Sequence, residues 1–134
     1  MANEDIIAKI VAYLDGVTAS DVTVATRVPD PRPAKLVQVR LISWPKLPPV
    51  RRIARFAVTC WSTDVSDEAG AMALGIAVRG YIDALYGTEL LGTGLVVYRI
   101  EETSGVHPDE DTETRVAQAS SLVAITHRDD GVTR

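Results

Sequence analysis

Few residues in this 134-residue chain have the type and spacing to do chemistry. Cys60 is the single cysteine, His107 and His127 are the two histidines, and Asp109, Asp111 and Glu113 alternate through HPDEDTE (107–113). A thiol becomes a nucleophile where a cation or helix N-terminus stabilises its thiolate. Cys60 instead sits in the alternating apolar run ARFAVTCW (54–61), so a buried, inert thiol is expected. The histidines lack a ligand spacing such as H-x-x-x-H and are expected to be solvated. The alternating acids are faintly similar to a calcium loop, but the glycine of its sharp turn and the distal bidentate acid are missing. A solvated acidic loop is expected there. GTELLGTG (87–94) lacks the Lys-Ser/Thr of a phosphate loop and precedes a strand, so it reads as a helix stop and a turn. No catalytic, cofactor or metal residue is predicted, and the chain is not expected to be an enzyme.

Charge is more informative. From Arg27 to Arg55 the bases are Arg27, Arg32, Lys35, Arg40, Lys46, Arg51, Arg52 and Arg55, with Asp30 the only acid. From Glu101 to Glu113 the acids are Glu101, Glu102, Asp109, Glu110, Asp111 and Glu113, with no Lys or Arg. Each block alone reads as a solvated face. Together, on one small domain, they are what a head-to-tail interface would use. Arg27, Arg32, Arg40, Arg51, Arg52, Arg55, Glu101, Glu102, Asp109 and Asp111 are therefore the candidate subunit-interface residues. Arginine outnumbers lysine eleven to three, and its planar fork suits interfaces.

These residues need elements to position them. Residues 4–15 read as a helix, capped by Asn3 and stopped by Gly16, with Ile6, Ile7, Ile10, Val11 and Leu14 as its apolar stripe. VTVATRV (22–28) reads as a strand. KLVQVRLI (35–42) and ARFAVTCW (54–61) alternate as strands, and proline-rich SWPKLPPVRR (43–52) joins them as a hairpin with an extended tip. Residues 66–87 read as the main helix, capped by Asp64 or Ser66, with Met72, Ile76, Ile82 and Leu85 packing inward. Its glycines at 70, 75 and 80 each cost about 1 kcal/mol against alanine, so packing must hold it, and small residues let it sit close to a sheet. Residues 94–102 read as a strand with Val96, Tyr98 and Ile100 on one face, and 115–127 as the last strand. The loop 103–114 and the tail 128–134 are expected to be flexible.

Helix, three strands, helix, two strands, with short connections, imply an α+β fold. A mostly antiparallel sheet would carry both helices on one face, with a long hairpin extending from it. Residues 1–127 form one domain. The other sheet face and the edges then need a cover or a use. The prolines at 29, 31 and 33 read either as a bent connection or as a stiff arm that docks at low entropic cost.

Composition narrows the function classes. Hydrophobic content of 46% sustains a core, and 5% aromatics means that Val, Ile, Leu and Ala build it. A net charge of −4 argues against general nucleic-acid or acidic-membrane binding. No apolar run approaches a membrane span. The acidic start MANEDIIAKIV is unlike a secretory signal, and a lone cysteine suits a reducing cytoplasm.

In chain order come TRVPDPRP, the strand LVQVR, a strand ending VTCW, and a helix opening after SDE. VVYRIEETSG follows, with an acidic loop and an arginine before the final strand. This order resembles the tail terminator proteins of long-tailed bacteriophages, nearest to those of actinobacterial phages and prophages. The resemblance spans Ile6 to His127, and its most specific parts are the 26–33 arm, Cys60–Trp61 and EETSG. It implies a ring, commonly hexameric, on the end of the tail tube. Such a ring stops tube polymerisation, joins the head connector and lets DNA pass through its lumen, with no enzyme activity and no cofactor. The implied partners are copies of the chain, the major tail tube protein and the head-completion or connector protein. Neither sequence-specific nucleic acid nor a membrane is implied. The implied location is the head–tail junction of the virion, with assembly in the host cytoplasm. The alternatives are another phage neck ring, for head closure or as an adaptor, and an unrelated cytosolic binding module or small enzyme.

Overall fold

A computed structural model of the chain describes residues 5–27, 35–47, 51–62, 68–88, 96–110 and 117–128. Two helices, α1 (Asp5–Val17) and α2 (Glu68–Asp83), pack on one sheet. Its strands are β1 (Val22–Ala25), β2 (Lys35–Ser43), β3 (Lys46–Leu47), β4 (Arg51–Trp61), β5 (Val97–Glu110) and β6 (Ala117–Arg128). The order across the sheet is β1-β2-β4-β6-β5, with β3 paired to β4. This is the α+β class expected from the sequence, mostly antiparallel. Residues 28–33 of the 26–33 arm, the caps at Asn3, Asp64 and Ser66, and the tail beyond Arg128 lie outside the described residues.

Ile6, Ile10 and Leu14, four apart, put one face of α1 into the core. Thr18 closes the helix, its amide and hydroxyl both donating to the Leu14 carbonyl. In α2 the buried positions are Ala71, Gly75, Val78 and Ile82. Ile76, expected to pack inward, is 59% exposed, because the close-packed seam runs through the small residues. A Cβ on Gly75 would stand 2.9 Å from Val106 Cγ1 and 3.2 Å from the Ala119 Cβ, so the helix approaches the sheet where only glycine fits. After α2 the chain turns through Gly87, at φ 75°, whose amide donates to the Val97 carbonyl. The helix end is thus tied to the start of β5.

One cluster joins Ile10 and Leu14 of α1 and Val78 and Ile82 of α2 to Val37, Val39, Phe56, Val58, Val123 and Ile125 of the sheet. Both helices therefore cover the same face.

Four expectations change. Segment 103–114 is not a loop as far as Glu110: β5 runs to that residue, with His107 opposite Ser120 and Asp109 opposite Gln118. Its polar composition suits an edge strand whose outward face meets solvent. Irregularities between Val97 and Arg99, Glu102 and Ser104, and Ser104 and His107 re-aim its side chains, so Val97 is buried while Tyr98 is exposed. β4 starts at Arg51, inside the expected connection, because β3 and β6 both pair with its first residues. β1 and β2 pair parallel, against the antiparallel expectation from a short connection.

Candidate functional site

The helix-free face can be read row by row from the register. Phe56, Val58 and Cys60 of β4 face the helices, so Arg55, Ala57 and Thr59 face away. Gln38, Thr59, Ser120 and His107 form one row across four strands. Arg40, Ala57, Leu122 and Ser104 form the next, and Arg55, Ala124 and Glu101 another. Short side chains on the central strands between longer ones outside leave a hollow of about 450 Å³. Its lining includes Gln38, Arg40, Thr59, Trp61, His107, Gln118 and Leu122, with Ala57 and Ser120 in its floor. Neither Arg40 nor Arg55 has an ion pair among the described residues. The far end of this face is filled: the Arg51 guanidinium lies 4.6 Å over the Tyr98 ring, and Arg99 pairs with Glu101 at 3.0 Å.

The interface residues read from the sequence fall into three groups. Arg40, Arg51, Arg55 and Glu101 share the helix-free face, and Arg27 is exposed just beyond β1. Arg52 and Glu102 point to the opposite side and have internal partners. Arg52 donates to the Trp44 carbonyl at 2.9 Å and lies 4.2 Å over the indole. Glu102 accepts from Arg79 Nε at 2.9 Å, and Arg79 also holds Asp83, so this carboxylate ties β5 to α2. Asp109 occupies a backbone position opposite Gln118, and Arg32 and Asp111 lie outside the described residues.

His127 corrects the sequence reading. It is 1% exposed, not solvated, because it sits on the helix side of β6 opposite Arg52 and Val97. Its Nε2 accepts from Trp44 Nε1 at 3.0 Å. An indole nitrogen only donates, so the imidazole proton is on Nδ1, which donates to the Arg128 carbonyl at 2.7 Å. His107 is exposed, with Nδ1 2.8 Å from the Gly105 carbonyl. Cys60 is fully buried, and loss of water pushes its thiol up to about 12, away from the thiolate that chemistry would need.

No family model matches the chain, and no curated protein matches it in sequence.

A second hollow, of about 600 Å³, lies between β1 and the small-residue side of α2, at Gly70, Ala73, Leu74, Ala77 and Tyr81. The Asp21–Lys35 pair, at 3.0 Å, stands at its edge, and its hydrogen bond and charge hold the Asp21 carboxyl below the usual range. Burial, and then the Tyr81 phenol, raise Tyr13, whose hydroxyl donates to the Tyr81 carbonyl at 2.7 Å. No helix is long and apolar enough to cross a membrane, and no cluster of three metal-ligating side chains occurs among the described residues.

Sequence reasoning missed the Trp44–His127–Arg52 group and the Gln38–Thr59–Ser120–His107 row. The second had a signal: Gln118, Ser120 and Leu122 alternate with Ala119, Ser121 and Val123. The first had none, since Trp44 and His127 are 83 residues apart.

Proposed function

We propose that this chain is a structural virion protein: a tail terminator that forms a ring, as a hexamer, on the end of the tail tube. It ends tube polymerisation and provides the surface joined by the head connector, so it is placed at the head–tail junction. The observation that carries this reading is the division of the sheet. One face holds both helices and the core. The other holds no helix among the described residues and carries Arg40 and Arg55, cations without an ion pair among those residues. A sheet face and edge left bare in this way favour assembly with other chains. The resemblance of TRVPDPRP, VTCW and VVYRIEETSG to tail terminators supplies the identity of the assembly.

No catalytic role is assigned to Cys60, His107 or His127. The test is to add the purified protein to polymerising tail tubes and image them. Rings on one end of each tube, and tubes that stop lengthening, are expected. Binding to head connectors and never to tubes would replace this reading with that of a neck adaptor ring. A protein that remains monomeric at every concentration, with or without tubes, would overturn both.

A further inference from the structure

Resting on the ring reading above, we propose that the hollow on the helix-free face is a socket for a second copy of the chain. The part it takes is the acidic end of that copy's β5–β6 hairpin. Charge and register together carry this. Among the described residues that line the hollow Arg40 is the one Lys or Arg and there is no carboxylate, and Arg55 stands in the next row. Both cations are exposed and have no ion pair among the described residues. The hydroxyl-bearing Thr59 lines it beside the apolar surfaces of Leu122 and Trp61. About 450 Å³ falls within the range of sites that take a small ligand or a short chain segment, about 300–1,000 Å³.

The complementary surface is on the same chain. The last pair between β4 and β6 is Cys60 with Ala119, whereas β5 and β6 remain paired to Glu110 with Ala117. The hairpin therefore runs on past that pair. It carries Asp109 and Glu110 at its end, the sequence continues to Asp111 and Glu113, and 101–110 holds no Lys or Arg. His107 and Gln118 at the base of this hairpin form one wall of the hollow, and the backbone of Asp109 is paired opposite Gln118. The socket and the acidic end are different surfaces, so their contact is head-to-tail, the type that closes into rings. Apolar contact at Leu122 and Trp61 supplies affinity, and charge sets register and partner choice.

The test is a charge exchange read by sedimentation velocity across a concentration series at low and high salt. Arg40→Glu alone and Asp109→Lys with Glu110→Lys should each raise the concentration needed for assembly by about tenfold at low salt. Arg40→Gln should fall between wild type and Arg40→Glu. The combined variant should return most of the loss. Lys9→Glu serves as a control, since Lys9 lies on α1, which packs on the opposite face of the sheet. It should assemble as wild type does. Arg40 is exposed, and unchanged thermal unfolding of its variants shows that they fold. Rings that ignore the reversals, or a combined variant no better than the single ones, would overturn the socket and leave the ring standing. A wild type that stops at a dimer, with the charge exchange effective, would keep the socket and overturn the ring.

Discussion

Trp44 Nε1 donates a hydrogen bond to the buried Nε2 of His127 at 3.0 Å, joining the segment between β2 and β3 to the last strand. Arg52 lies over the same indole and donates to its backbone carbonyl. Three side chains from three parts of the sequence thus fasten one corner of the sheet. Trp44→Phe keeps most of the packing and removes the donor from a ring that is 1% exposed. It should lower the unfolding free energy by about 1–3 kcal/mol. Denaturant titration measures this, and a double-mutant cycle with His127→Leu should show coupling of about 0.5 kcal/mol or more. A loss of a few tenths only, with no coupling, would mean that this hydrogen bond does not hold the corner.

Gly75 and Gly80 should respond in opposite directions to alanine. At Gly80 a Cβ meets nothing within 4 Å, so Gly80→Ala should gain up to about 1 kcal/mol of helix propensity. At Gly75 a Cβ stands 2.9 Å from Val106 Cγ1, and overpacking costs about 1–3 kcal/mol, which outweighs the same gain. Thermal unfolding of the two variants checks the pair. A Gly75→Ala protein as stable as Gly80→Ala would show that α2 does not press on β5 there.

Cys60 should resist alkylation in the folded protein. Burial raises its thiol from 9.0 to about 12, so in mildly alkaline buffer the folded chain holds the proton that the unfolded chain releases. A folded-state value above the unfolded one means that stability is intact below the ordinary thiol value. It declines as pH rises from about 9 toward about 12. Modification by iodoacetamide should therefore follow global unfolding. Rapid labelling under native conditions would contradict the buried position.

Amide exchange should separate the two sides of β5. This strand forms one edge of the five-strand path and has β6 on its other side. Amides directed at β6 should be protected and outward ones fast, with the alternation broken at the three irregular points. Uniformly fast exchange from Glu102 to Glu110 would mean that the hairpin forms only on assembly.

Much of this architecture was legible locally. Ile6, Ile10 and Leu14 recur at helical spacing, and Phe56, Val58 and Cys60 alternate at strand spacing, so each declared its element and its buried side. The small residues of α2 announced a close approach to a sheet, and Gly75 makes it. These are properties of one element, set by the period of its own backbone. What only the tertiary structure decided depends on contacts between distant segments. VYRIEETSGVHPDE looks like a strand that ends early, because more than half of its residues are polar. It continues to Glu110 because β6 offers a long hydrogen-bonding partner and Val106 meets Gly75. His127 looks solvated until the strand order places it within hydrogen-bonding distance of Trp44. The charge blocks are visible as composition, but a strand sends successive side chains to opposite faces. Arg51 and Arg52, like Glu101 and Glu102, are therefore neighbours in sequence on opposite sides of the sheet. Composition counts such residues together; the pleat, fixed by which strand lies alongside, assigns one to the helix side and the next to the open face.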